Sequence, residues 1–157
     1  MIYCLDSSGL LNGWKRHYPA DVFPDLPEKL EQLADVGRLI IPEDVLRELE
    51  KKDDELKTWA RKLTKAVVPL NEEIQEAALE ILGRFRRLVD TRTGRSGADP
   101  FLVATAKVRS AMVITGEDAS NNTNKPRIPD VCRALNIPVG KMLDLIRQER
   151  WTFRGGA

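Results

Sequence analysis

The chain has 157 residues, 42% hydrophobic and 31% charged, which fits one globular domain with a sizeable core and excludes a disordered or fibrous protein. Its 25 basic and 24 acidic residues leave a formal charge of +1, so no global basic field marks a nucleic-acid binder and any such surface has to be a local patch. The two cysteines, Cys4 and Cys132, lie in apolar segments without disulfide or zinc spacing, and no stretch has signal-peptide or membrane-spanning character; the expectation is a reducing, cytoplasmic setting with no membrane.

In chain order, residues 2–5 are apolar throughout and predict a short buried strand that stops on Asp6. Ser7 to Gly13 has the start of a helix, residues 19–27 form a proline-punctuated loop, and Pro27 opens a helix that Gly37 stops. Residues 38–41 predict a second strand. Pro42 begins a helix with Val45, Leu46 and Leu49 on one face, and charged helical sequence continues to Leu63. Residues 66–69 predict a third strand. Asn71 is a candidate cap for a long helix whose Ile74, Ala78, Ile81, Phe85 and Leu88 keep helical spacing. A polar loop, "DTRTGRSG", precedes a helix that starts at Asp99-Pro100 and is apolar around most of its circumference. A fourth strand over 112–115, the loop "GEDASNNTNKPR", a helix from Pro129, a last strand over 137–139 and an amphipathic helix complete the chain.

Short apolar strands alternating with helices predict an α/β sandwich with a mostly parallel sheet of four to five strands, as one domain over residues 1–157. In such sheets ligands collect at the carboxyl ends of the strands. The acids of this chain fall there. Asp6 ends the first strand, Glu48 lies at the edge of the apolar stripe in the helix after the second, Asp99 starts the buried helix, and Glu117 and Asp118 follow the fourth strand. Each has an ordinary alternative: Asp6 and Asp99 as helix caps, Glu48 as a flanking carboxylate, Glu117 and Asp118 as loop residues. Together they form a set that cannot all stay ionised without compensation, and oxygen ligands suit a hard cation such as Mg²⁺ or Mn²⁺. His17 is the only histidine and sits in an early segment, which disfavours zinc.

The segments "YCLDSSGLLNGW", "IPEDVLRELEKKDDELKTW", "ADPFLVATAKVRSAMVITGED" and "IPDVCRALNIP" together resemble the PIN-domain family over nearly the whole chain. That resemblance implies a three-layer α/β/α fold and metal-dependent cleavage of RNA, often as the toxin of a toxin–antitoxin pair of the VapC kind, with an antitoxin partner and in some cases a homodimer. By position it assigns Asp6, Glu48, Asp99 and Glu117 as the catalytic acids, with Asp6, Asp99 and either Glu117 or Asp118 on the metal. Glutamate at 117 departs from the family, which usually has aspartate in a "TxD"-like motif. Ser8 and Thr115 match hydroxyl residues suited to positioning a phosphate or a water. One or two Mg²⁺ or Mn²⁺ ions would then activate water and stabilise charge on the phosphate, leaving a 5′-phosphate and a 3′-hydroxyl.

An RNA substrate also needs cations. Arg84, Arg86, Arg87, Arg92 and Arg95, before Asp99, and Lys125 and Arg127, after Glu117, flank the acids; Arg92 and Arg95, in a glycine-bearing loop, are the better candidates of the first group, and Arg84 and Arg87 read more readily as a solvated helix face. Trp14 and Tyr18, near Lys15, are candidate stacking residues, with core or interface packing the commoner role. Asn121, Asn122 and Asn124 suit either substrate contact or turns, and Asp130 reads as a helix cap. Two alternatives stand beside the nuclease: a non-enzymatic module of the same fold that binds RNA or a partner, and a small-nucleotide-binding sheet protein. "DSSGLLNG" matches no glycine-rich phosphate loop, which weakens the latter.

Overall fold

The computed structural model describes residues 1–52, 54–88, 99–122 and 124–155. Five short strands make one sheet in the order β3-β2-β1-β4-β5: β1 (Tyr3–Leu5), β2 (Leu39–Pro42), β3 (Val67–Val68), β4 (Met112–Ile114) and β5 (Val139–Gly140). Every pairing is parallel. The central strand is apolar on both faces because helices cover both; Tyr3, Cys4 and Leu5 are wholly buried. This is the three-layer α/β/α sandwich expected from the alternation of strands and helices.

The helices are α1 (Ser7–Leu10), α2 (Asp25–Asp35), α3 (Glu43–Lys52), α4 (Asp54–Ala60), α5 (Glu72–Arg84), α6 (Asp99–Arg109), α7 (Ile128–Ala134) and α8 (Met142–Gln148). Local chemistry sets several of their ends. The Asn71 side chain accepts a hydrogen bond from the Ile74 N–H at 2.9 Å, as a cap should. Gly37 takes φ +76°, a left-handed conformation that glycine adopts without cost, and the Arg38 N–H then closes α2 on the Leu33 carbonyl at 2.8 Å. Helix α6 is buried at Leu102, Val103, Ala104 and Ala106, and it packs on β1 and β2 while touching α5 and α7.

Three elements differ from expectation. The helix after Asp6 turns at Leu11 into a seven-residue π-helical stretch, Leu11–His17, closed by the Tyr18 N–H on the Gly13 carbonyl at 2.6 Å. Helix α5 stops at Arg84; the apolar spacing that continues through Phe85 and Leu88 is realised in a 3₁₀ turn, Arg86–Leu88. The last strand lies two residues later than predicted, at Val139–Gly140. No helix among the described residues is long and apolar enough to cross a membrane.

At the far end of β1, Glu149 accepts from the Tyr3 hydroxyl at 2.5 Å and from Arg38 at 2.6 Å. Burial opposes ionisation of Glu149, but Arg38 and Tyr3 outweigh it and hold the carboxyl below its usual range. This pins the chain end after α8 to the amino-terminal edge of the sheet.

Candidate active site

The order β2-β1-β4 makes β1 the strand from which the chain departs in both directions, and the crevice beyond its carboxyl end is the switch point of the sheet. Asp6 sits there. Register Leu5↔Ile114 brings the residues after β1 beside those after β4, and the Asp6 N–H donates to the Ile114 carbonyl at 2.9 Å. Asp6 is 4% exposed. It occupies the cap position of α1, yet its side chain makes no capping bond to that helix. Instead both neighbouring hydroxyls converge on Oδ2: Ser8 donates at 2.5 Å and Thr115 at 2.8 Å. The hydroxyls are themselves fixed, Ser8 accepting from the Gly116 N–H at 3.0 Å and Thr115 from the Glu117 N–H at 3.1 Å.

This arrangement leaves Asp6 electrostatically expensive. Burial raises its pKa, the Ser8 and Thr115 hydrogen bonds lower it, and the negative charges of Glu117 and Glu48 raise it again; the outcome is about 6. Glu48 and Glu117 are therefore the acids whose fields reach Asp6. Each has a donor of its own. Glu48 accepts from Lys52 at 2.6 Å, one helical turn away, and Glu117 Oε2 accepts from the Ile128 N–H at 3.1 Å, at the start of α7. Asp99 opens α6 and is 5% exposed, on the helix that lies across β1. Among the described residues, no three His, Cys, Asp or Glu side chains lie close enough together to hold a metal ion.

Asp118 goes the other way. It is largely exposed and pairs with Lys141 at 2.5 Å, a contact that holds its carboxyl below the usual range. Of the two adjacent acids after β4, Glu117 is the one that Asp6 senses. Ser8 and Thr115 each spend their hydroxyl on Asp6, so here they orient a carboxylate rather than stand open to a phosphate.

Asp130 is a structural residue. Its Oδ2 accepts from the Arg127 N–H, the Ser120 N–H and the Ser120 hydroxyl at 2.8–2.9 Å, and Oδ1 from the Asn121 N–H at 3.1 Å. Burial works against its charge, but these donors prevail and lower its pKa. It thus caps α7 and folds the loop that carries Lys125 and Arg127, both exposed. Asn122 and Asn124 serve turns in that loop, and Arg87 reaches across to the Asn124 carbonyl at 3.3 Å. Arg84 lies over the Phe85 ring at 5.2 Å. Arg92 and Arg95 lie outside the described residues. Trp14 is core, edge-on to Trp59 at 4.4 Å, and Lys15 pairs with Glu55. Burial raises both thiols, Cys132 to about 12, so neither is a nucleophile at neutral pH.

One feature was not read from the sequence. A cleft of about 210 Å³ opens beside Thr115 and Gly116, walled by Gly9, Asn12 and Gly13 and by Met142 of α8. Its signal was the Gly9–Gly13 spacing, which puts two glycines on one face of a helix and permits close backbone approach. A Cβ on Gly9 would lie 2.6 Å from the Ile114 carbonyl oxygen, so this helix can seat against the end of β4 only with glycine there.

Two solved structures are similar to this chain. A chain of VapBC2 from Rickettsia felis, crystallised bound to a DNA fragment from its promoter, superposes with a TM-score of 0.55 at 17% identity, over 90% of this chain and 98% of that one. PAE2754 from Pyrobaculum aerophilum gives a TM-score of 0.42 at 13% identity, over 87% and 97%. No curated protein matches the sequence. The fold is thus the three-layer, PIN-like one that the sequence motifs resemble. Over residues 3–153 the sequence matches the model described as domain of unknown function DUF4411, and the chain belongs to that family.

Proposed function

We propose that the protein is a metal-dependent ribonuclease whose centre is Asp6. One observation carries this reading: a carboxylate at the switch point of a parallel sheet is buried, does not cap its helix, and is aimed by two hydroxyls while two further carboxylates raise its pKa. A stability-driven fold has no use for such an arrangement, whereas a cation site does. The donors are all oxygen, which fits Mg²⁺ or Mn²⁺ and not a soft metal. Asp6 would anchor the ion, and Asp99 and Glu117, which do not stand with it as a ready three-acid set, would turn in to complete its coordination, with Glu48 adding negative charge and Asp118 standing apart on Lys141. Bound there, the ion would supply an activated water and charge neutralisation at phosphorus.

The chain's own part is positional. Ser8 and Thr115 fix Asp6 by its Oδ2, leaving Oδ1 unused by the helix. The amides of Gly116 and Glu117 fix the hydroxyls in turn. Lys125 and Arg127 would supply cations that an RNA backbone needs, and Arg92 and Arg95, in the sequence before Asp99, are further candidates. A role as the toxin of a toxin–antitoxin pair, with an antitoxin partner, follows the resemblance and the likeness in fold to VapBC2. The test is incubation of the purified protein with single-stranded RNA in Mn²⁺ or Mg²⁺: cleavage is expected with either, and none in EDTA or in Asp6→Asn and Asp99→Asn. Cleavage that survives EDTA, or full activity in both variants, would refute the reading.

A second reading has its own observation. Glu48 is tied to Lys52 and Glu117 to the Ile128 amide, which suits a PIN-like module that binds RNA or a partner without cutting. Calorimetry that finds no affinity for Mn²⁺ or Mg²⁺, alongside RNA binding without cleavage, would favour it.

A further inference from the structure

Resting on the ribonuclease reading, we infer that the cleft beside Thr115 is a subsite for one unpaired nucleobase of the RNA strand. Its volume, about 210 Å³, is below the roughly 300–1,000 Å³ of pockets that hold drug-sized ligands, and suits a single flat ring. Gly9 and Gly13 let the lining elements close tightly around it: a Cβ on Gly9 would lie 2.6 Å from the Ile114 carbonyl oxygen, and one on Gly13 would press Met142 at 3.0 Å.

The π-helical stretch supplies the rest. It ends in His17 and Tyr18, both at the cleft, whose rings stand 6.3 Å apart at 85°, so one offers a face where the other offers an edge. Tyr18 packs edge-on against Phe23 at 5.3 Å. Such π-helical stretches are rare and recur at functional sites. Asn12, from the same stretch, brings an amide with both donor and acceptor character to the wall, its Nδ2 3.5 Å from the Gly116 carbonyl. Stacking by aromatic rings combined with an amide reading the base edge is how single-stranded RNA is recognised. Thr115 and Gly116 belong both to this wall and to the hydrogen-bond set around Asp6, so a base seated here would place its neighbouring phosphate towards the carboxylates.

The test is a titration of the ¹⁵N-labelled full chain, in EDTA, with adenosine, cytidine, guanosine and uridine, with ribose as control. At least one nucleoside is expected to shift the Gly13, Gly116 and Met142 amides saturably, ribose is expected not to, and Asn12→Ala and Tyr18→Ala should each weaken the Kd by about fivefold or more. Tyr18 also packs on Phe23, so His17→Ala, at an exposed ring, provides a second variant that need not disturb the fold. Equal shifts from ribose, or no shift from any nucleoside, would overturn the inference. The assay involves neither metal nor turnover. Nucleoside binding without RNA cleavage would therefore sink the nuclease reading alone, and cleavage without nucleoside binding would sink the subsite alone.

Discussion

Replacing Asp6 with asparagine should abolish cleavage and at the same time stabilise the fold at neutral pH. In the unfolded chain Asp6 ionises near the usual 3.8, and in the folded chain near about 6. Between those values the folded state holds a proton that the unfolded state has lost, so stability falls as pH rises. The contribution of Asp6 is whole below about pH 4 and is lost as pH climbs through 6. Ionising it at pH 7.5 costs roughly 3 kcal/mol, at about 1.36 kcal/mol per pH unit between the two values. Asparagine keeps the shape and an oxygen acceptor for the Ser8 and Thr115 hydroxyls, but carries no charge to bury. Its amide NH₂ then needs a partner, so the expected gain is about 1–3 kcal/mol at pH 7.5. For a chain of this length that is about 2–4 °C in Tm per kcal/mol. Urea titrations of both proteins in EDTA at pH 4, 5, 6, 7 and 8 measure it. The gap should be smallest at pH 4 and widest above pH 7. An Asp6→Asn protein less stable than the parent at pH 7.5, or a gap that does not change with pH, would refute the reasoning.

Other outcomes follow from the same geometry. Thr115→Val removes one of the two hydroxyls on Asp6 Oδ2; it should raise the pKa of Asp6 further and lower cleavage by about 10–100-fold, measured as a pH–rate profile displaced to higher pH. Glu117→Gln should reduce cleavage at least about tenfold, whereas Asp118→Ala, at an exposed ion pair, should leave both cleavage and Tm unchanged; equal losses in the two would mean that both acids serve the site. Gly9→Ala should cost about 1–3 kcal/mol in urea denaturation, because the new Cβ meets the Ile114 backbone rather than a side chain that can move. A loss under about 0.5 kcal/mol there would show that α1 can shift away from β4 freely.

Much of the fold could be read from the chain because its local signals agree. Fully apolar runs of two to four residues, each followed by a polar or proline-marked helix start, leave little but a parallel sheet covered on both faces. Asn71 and Gly37 mark their helix ends by chemistry that acts within four residues. The position of Asp6 was readable for a similar reason, since adjacent parallel strands bring the ends of β1 and β4 together. What was not readable depends on distant partners. Whether Asp6 caps α1 is decided by Thr115, 109 positions away, whose hydroxyl takes the carboxylate from the helix. Glu117 and Asp118 are neighbours with similar chemistry; the Ile128 amide and Lys141 send them in different directions. The π-helical stretch at Leu11–His17 has no residue pattern of its own, and the apolar spacing after Asn71 continues past the point where α5 becomes a 3₁₀ turn. In both cases tertiary packing overrides periodicity.

The central claim is that the carboxylates at the carboxyl ends of β1 and β4 exist to bind a cation. Diffraction from crystals of the protein soaked in Mn²⁺, recorded at the manganese absorption edge, tests it most directly. The account predicts one or two anomalous peaks in contact with Asp6, with Asp99 and Glu117 turned towards the ion and Asp118 still on Lys141. An Mn²⁺ peak away from Asp6, or none at saturating Mn²⁺, would contradict it.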